Sequence, residues 1–233
     1  MTERGEKEYN EEVITGHPGM FFRTDDDGLS LISGNQELRG DFTKLIKRIR
    51  SNDLQRELVV RAARIKGKVG PFKVIDATAG LGEDSFLLAA AGYTVQLYER
   101  DHIIAMLLGD ALRRAAEVPE LSNIVQRMEL VEGDSIMALT TLEKPPDIVL
   151  LDPMFPARQK SGLVKKKLQM LQQLEQPCTD EAALLQAAIY AGPRKVIIKR
   201  PAKGEYLAGI KPSYSIEGSV IRYDCIVQLG GKA

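Results

Sequence analysis

The apolar residues of this chain change period several times, and the changes divide it into segments. Residues 1–19 show little apolar periodicity and read as a mobile tail. Met20, Phe21 and Phe22, then the turn-forming Asp25-Asp26-Asp27-Gly28, then Leu29, Leu31 and Ile32 predict two short strands around a turn. From Phe42 to Ile65 the spacing becomes helical, with Phe42, Leu45, Ile46 and Ile49 in one set and Leu54, Leu58, Ala62 and Ile65 in a second. Ser51-Asn52-Asp53 between the sets offers capping side chains, so two short helices are expected.

Beyond Phe72 strands and helices alternate. Strands are predicted over 73–77, 94–98, 128–131, 147–151 and 195–198, and helices over 85–91, 103–116, 135–142, 165–174 and 180–190. Within 147–151 the run from Ile148 to Leu151 is continuously apolar, as a strand buried on both faces must be. Segments 214–216 and 221–229 around Glu217-Gly218 predict a terminal hairpin. Five strand–helix units and a hairpin imply an α/β, Rossmann-like seven-stranded fold: a mostly parallel sheet with helices on both faces and a C-terminal antiparallel hairpin. The expected division is a small N-terminal extension over 1–67 and the main domain over 68–233.

Composition narrows the class. A chain of 233 residues, 44% hydrophobic and 27% charged, can bury a core without disulfides or metals. Cys178 and Cys225 stand far apart in no ligand-like spacing, so no metal site is implied and a reducing compartment is. No apolar run approaches the roughly 18–20 residues of a membrane span, and the charged first residues do not resemble a secretory signal, so the cytoplasm is expected. The formal net charge is zero, which speaks against a nucleic-acid partner, but the charge is segregated. Residues 1–27 hold three Lys or Arg against eight Asp or Glu, residues 42–68 hold nine against two, and residues 158–167 hold five basic residues and no acid. Such patches could form a local phosphate-binding face, or simply solvated helix surfaces.

Candidate chemistry lies after the predicted strands. Asp76-Ala77-Thr78-Ala79-Gly80-Leu81-Gly82-Glu83-Asp84 follows the first core strand and opens a helix, where open α/β sheets bind ligands. Gly80 and Gly82 permit a sharp bend and a close backbone approach. A dinucleotide fingerprint would place a third glycine where Ser85 stands, and Asp76, four residues before Gly80, would repel a pyrophosphate. The same acid suits the cationic amino and sulfonium groups of S-adenosylmethionine. Glu99 ends the second strand, 23 residues after Asp76, and could accept both hydroxyls of an unphosphorylated ribose. Asp134 and Ser135, after the third strand, could receive an adenine amino group, although the pair equally suits a helix N-terminus.

The fourth signal is Asp152-Pro153-Met154-Phe155-Pro156, directly after the apolar strand. Methylating an exocyclic base amine requires hydrogen-bond acceptors for the NH₂ group and a flat surface for the base. Asp152 and the Pro153 carbonyl are suitable acceptors, and Phe155 is a suitable stacking face. Alone, an Asp-Pro pair merely ends a strand.

These residues resemble the (Asp/Asn)-Pro-Pro-(Tyr/Phe) motif of amino-group methyltransferases. More closely, the chain resembles the small-subunit (16S) ribosomal RNA guanine-N2 methyltransferase J family. The resemblance rests on Asp76 to Gly82, Leu97-Tyr-Glu-Arg100 and Leu151 to Pro156, and continues through Gln159-Lys-Ser161, Leu163-Val-Lys-Lys166 and Lys199-Arg-Pro201. It implies S-adenosylmethionine contacts at Glu83 and Asp84, Glu99 and Arg100, Asp134 and Ser135, and Asp152. It also implies methyl transfer to N2 of a guanosine in ribosomal RNA or the small ribosomal subunit. The chain departs from the family upstream: between Asp41-Phe42 and Ile65-Lys66-Gly67 it has no glycine, where the family carries a glycine-rich basic stretch. Candidate RNA contacts are Lys47, Arg48 and Arg50, then Arg158, Lys160 and Lys165 to Lys167, and Lys199 and Arg200. Competing readings are a methyltransferase of DNA bases or small molecules, and a non-catalytic nucleotide or RNA-binding module. The Asp-Pro-Met-Phe set disfavours the second.

Overall fold

The computed structural model describes residues 10–67, 70, 72–153 and 180–228. Its first element corrects the expectation of a tail reaching to residue 19: β1 (Asn10–Val13) pairs antiparallel with β2 (Met20–Asp25), Val13 opposite Phe21. β1 is an edge strand whose Glu11, Glu12 and Val13 all face solvent. It is held through backbone pairing and has no buried face to impose a hydrophobic period. The two predicted strands are β2 and β3 (Gly28–Ser33), and a short β4 (Gln36–Leu38), not foreseen, completes a four-stranded antiparallel sheet.

Three short helical pieces, not two helices, span the next segment: a 3-10 turn over Phe42–Leu45, α1 (Ser51–Leu54) and α2 (Leu58–Ala63). Phe42, Leu45, Leu54 and Ala62 are nevertheless buried, as the helical spacing requires, while Ile46, Ile49, Leu58 and Ile65 are half-buried and Val59 and Val60, outside that spacing, are buried as well. Arg48 ties the pieces together through paired bonds to Glu57 at 2.8 and 2.7 Å.

The five core strands form and lie parallel: β5 (Lys73–Asp76), β6 (Thr94–Glu99), β7 (Met128–Glu132), β8 (Ile148–Leu151) and β9 (Lys195–Pro201). The hairpin β10 (Tyr214–Glu217) and β11 (Ile221–Val227) adds antiparallel to β9, giving the order β10-β11-β9-β8-β5-β6-β7. The connecting helices are α3 (Glu83–Ala90), α4 (His102–Ala116), α5 (Pro119–Val125), α6 (Ser135–Thr140) and α7 (Glu181–Tyr190). Of these α5 was not foreseen; it starts on a proline and buries only Leu121 and Val125. The expected helix over 165–174 lies outside the described residues.

Strand alternation divides the core in two. Val74, Ile148, Leu150 and Ile197 face α2, α3, α4 and α5. Ile75, Val149, Leu151, Val196 and Ile198 face α6 and α7. All four residues of β8 are fully buried, each contributing about 1.5–3 kcal/mol. The N-terminal sheet packs Met20, Phe22, Leu31 and Leu38 on Ile103, Ile104 and Leu107 of α4. The chain moves from β5 outward to β7, then returns to place β8 on the other side of β5. This reversal opens a crevice at the carboxyl ends of β5 and β8, the usual ligand position in such sheets.

Candidate active site

The turn after β5 is shaped by its glycines. Gly80 and Gly82 both take the left-handed conformation, at φ +53° and +72°. A Cβ on Gly80 would meet nothing within 4 Å, so this turn faces open space. One on Gly82 would come within 2.9 Å of Leu108 Cδ1, so there the glycine serves the packing of α3 onto α4.

Asp76 ends β5 and is almost fully buried, accepting bonds from the Ser85 hydroxyl (2.6 Å) and the Thr78 N–H (3.1 Å). Burial pushes its carboxyl up to about 7; the Ser85 hydroxyl and Thr78 N–H oppose the shift, while Asp84 and Asp152 add to it. Because the folded value lies above the ordinary value of 3.8, the group favours the fold below that pH. That contribution is lost as pH rises towards 7. The protein without cofactor should therefore lose stability relative to Asp76→Asn between pH 5 and pH 7, by up to about 1.4 kcal/mol per pH unit. Thermal melts of both across that range test this; parallel curves would remove Asp76 as the cause.

Glu99 ends β6, is 5% exposed, and accepts the Gly80 N–H at 2.8 Å and the Asp101 N–H at 2.9 Å, one on each oxygen. Burial raises its carboxyl above the ordinary range against these two bonds. The Gly133 N–H bonds the Glu99 carbonyl (2.9 Å), joining the end of β7 to the same rim. Asp134 is exposed and accepts the Ile136 N–H at 2.7 Å, capping α6, with Ser135 buried behind it. Glu83 and Arg100 are both exposed.

Asp152 follows β8. Its N–H donates to Thr78 Oγ1 at 2.5 Å, so the β5 and β8 turns are bonded to each other. Its carboxylate lies 2.9 Å from Lys199 Nζ, and the same ammonium lies 3.0 Å from Asp84 Oδ2. Tyr223 donates its hydroxyl to Asp84 at 2.8 Å. Pro153 is buried beside this cluster's strand; Met154, Phe155 and Pro156, and Arg158, Lys160 and Lys165 to Lys167, lie outside the described residues.

The structure thus brings Asp76, Gly80, Asp84, Glu99 and Asp152 to one crevice. It separates the candidate RNA contacts. Lys47 and Arg50 are exposed, and Arg48 is half-buried against Glu57 with Asp84 and Glu83 in its electrostatic range. Lys199 and Arg200, the candidate RNA contacts at the end of β9, both have partners within the protein. Lys199 is held inside the crevice, and Arg200 is 6% exposed and donates to the Glu205 carbonyl at 2.7 Å. Adjacent strand residues point to opposite faces, so the two cations cannot share one ligand surface. Thr78, Tyr223 and Arg222 were not foreseen. Thr78 stood within the glycine motif. Tyr223 and Arg222 come from β11, where no local signal links Tyr223 to Asp84, 139 positions earlier, or Arg222 to the carbonyls about twenty positions before it. Arg222 pairs with Asp224 and donates to the carbonyls of Pro201, Ala202 and Gly204, fixing the chain that leaves β9.

Four carboxylates and one lysine leave an excess of negative charge in a concave, partly buried space, which suits a ligand bearing a sulfonium and an ammonium. Open space at Gly80 and a strand-end carboxylate at Glu99 suit its nucleoside. Among the described residues no cluster of His, Cys, Asp or Glu could hold a metal ion, and no helix is long and apolar enough to cross a membrane.

This strand order and rim of carboxylates define an S-adenosylmethionine-dependent methyltransferase, and comparison with known proteins agrees. The model of the family described as "Putative SAM-dependent methyltransferase" matches residues 17–228. The chain is 44% identical over 176 residues to the ribosomal RNA small subunit methyltransferase J of Thioalkalivibrio sulfidiphilus, covering 75% of this chain and 69% of that protein. It is 43% identical over 169 residues to the Pseudomonas fluorescens protein of the same name, covering 72% and 65%. The crystal structure of a SAM-dependent methyltransferase from Neisseria gonorrhoeae superposes with a TM-score of 0.71 at 32% identity, over 94% of this chain and 88% of that one. The chain belongs to the ribosomal RNA small subunit methyltransferase J family.

Proposed function

We propose that this protein transfers a methyl group from S-adenosylmethionine to the exocyclic N2 of a guanine in small-subunit ribosomal RNA. The observation that carries the reading is the place of Asp152: an acceptor carboxylate at the crevice, bonded through its N–H to the cofactor-side turn at Thr78. When bound, the cofactor supplies a methyl group made electrophilic by its sulfonium. Asp76 and Glu99 would hold the cofactor's cationic and ribose ends, with Asp134 and Ser135 near its adenine. Asp152 and the Pro153 carbonyl would accept hydrogen bonds from the base amine and turn its lone pair towards the methyl group. No strong base is required beforehand, because the amine becomes acidic once methylated; Asp152 is then placed to receive the proton. Phe155 is assigned the stacking face on sequence alone.

Exposed Lys47 and Arg50 flank Arg48, which lies within electrostatic range of Asp84, supporting a phosphate contact at this rim. The partner is accordingly the small ribosomal subunit or its RNA, and the compartment the cytoplasm. The names of the relatives support the RNA substrate. The test is to incubate the protein and labelled S-adenosylmethionine with ribosomal subunits from a strain lacking its gene, and to map the label. Label at a guanine N2 of the small-subunit RNA is expected; label on another base, or on a small molecule only, would overturn the reading.

A further inference from the structure

We infer that Lys199 is a positioning residue of the transfer reaction, acting through Asp152, and not a phosphate contact. The inference rests on the function proposed above for Asp152. The Lys199 ammonium sits 2.9 Å from Asp152 Oδ2 and 3.0 Å from Asp84 Oδ2, so one cation joins the carboxylate that would receive the base amine to the first turn of α3. Tyr223 steadies the far side through its 2.8 Å bond to Asp84. Only about a quarter of the Lys199 side chain is exposed, at 26%, against 40% for Asp152, so of the pair the carboxylate is the more accessible to a substrate. With Oδ2 engaged by the ammonium, Oδ1 would take the amine.

The charges around Asp152 explain why a cation is needed. Asp76 from β5 and Asp84 from α3 are acidic, Tyr223 from β11 brings a hydroxyl, and Lys199 and Arg200 from β9 are basic. Arg48, on the segment before α1, acts on Asp84 and Tyr223. Burial, then Asp84, raises the Asp152 carboxyl, and Lys199 is the largest influence holding it down. Burial disfavours the Lys199 ammonium as well, but Asp84 and Asp152 outweigh it and keep the group charged. Without the lysine, two carboxylates within one ammonium's reach would face each other in a partly buried space, and one would take a proton. A protonated Asp152 loses the ability to receive the proton of the methylated amine.

Lys199→Met should therefore move the acid limb of the kcat profile to higher pH by about 1–3 units, with activity recovering as pH rises. Lys199→Arg should return the limb towards its original position, and KM for the RNA should change less than threefold in both. A raised KM with an unmoved pH profile would make Lys199 a phosphate contact and overturn the inference. So would a loss of kcat equal at every pH. If Lys199→Met does not fold, the charge-balanced pair Asp84→Asn with Lys199→Met, measured against Asp84→Asn alone, reads the loss of the ammonium by itself, and a smaller shift in the same direction is expected because Asp84 no longer opposes Asp152. The Asp152 titration is also followed directly by carbon NMR of aspartate-labelled protein, assigned with Asp152→Asn. That readout needs no substrate: a protein inactive on ribosomal RNA whose Asp152 titration still rises without Lys199 would sink the substrate assignment and leave the pairing intact. An unmoved titration would sink the pairing.

Discussion

Replacing Asp152 by Ala should lower the transfer rate by about two to four orders of magnitude while leaving a folded protein. The fold should survive because Asp152 carries no packing role: its side chain is 40% exposed, and Lys199 keeps Asp84 as partner when it is removed. Binding of S-adenosylmethionine should weaken far less than transfer, because only the contact implied for Asp152 is lost while the residues assigned to the ribose and amino group stand on β5 and β6. Asp152→Asn should fall between the two, since an amide oxygen still accepts from the base amine but cannot take its proton. Single-turnover rates on the small-subunit RNA measure all three proteins. Turnover of the Ala variant within a few-fold of the unaltered protein would remove Asp152 from the reaction.

Glu99→Ala should weaken cofactor binding by about 1–3 kcal/mol, the loss expected when hydrogen bonds to a charged acceptor disappear. That corresponds to roughly 5- to 150-fold in Kd. Here stability should fall as well, because the Gly80 and Asp101 N–H groups both end on this carboxylate. The conservative Glu99→Gln should not restore binding. One of the two backbone donors would face the amide NH₂ instead of an oxygen, and the turn carrying Gly80 would shift. Calorimetric titration with the cofactor separates these outcomes, and unchanged affinity in the Ala variant would contradict the ribose assignment.

The sheet was legible because its strands are short apolar runs bounded by turn residues, and β8 is apolar throughout. The placement of the candidate site was legible where its residues are close in sequence, as with Asp76 to Gly82, or where they stand at predictable strand ends, as with Glu99 and Asp152. β1 escaped notice because an edge strand exposed on both faces needs no hydrophobic pattern. β4 has a single buried side chain, Leu38. The basic residues were hardest to read. A lysine at a strand end looks the same in sequence whether it grips a phosphate or neutralises two buried acids. The partners of Lys199 lie 115 and 47 positions away and are set by topology alone.

Lys195 shows how firmly the early helical pieces belong to the sheet. Its ammonium, 4% exposed, donates to the carbonyls of Ala62 and Arg64 at 2.7 and 2.6 Å, where α2 ends. A chain trimmed to begin after these residues would keep a cation at the foot of β9 with both acceptors deleted, and would bare the apolar side of the sheet beneath α2. A unit that begins upstream of α2 should therefore be more stable than one that begins after it. The expected division after residue 67 would cut the bonds that tie α2 to β9, with the basic segment over 46–50 on the upstream side.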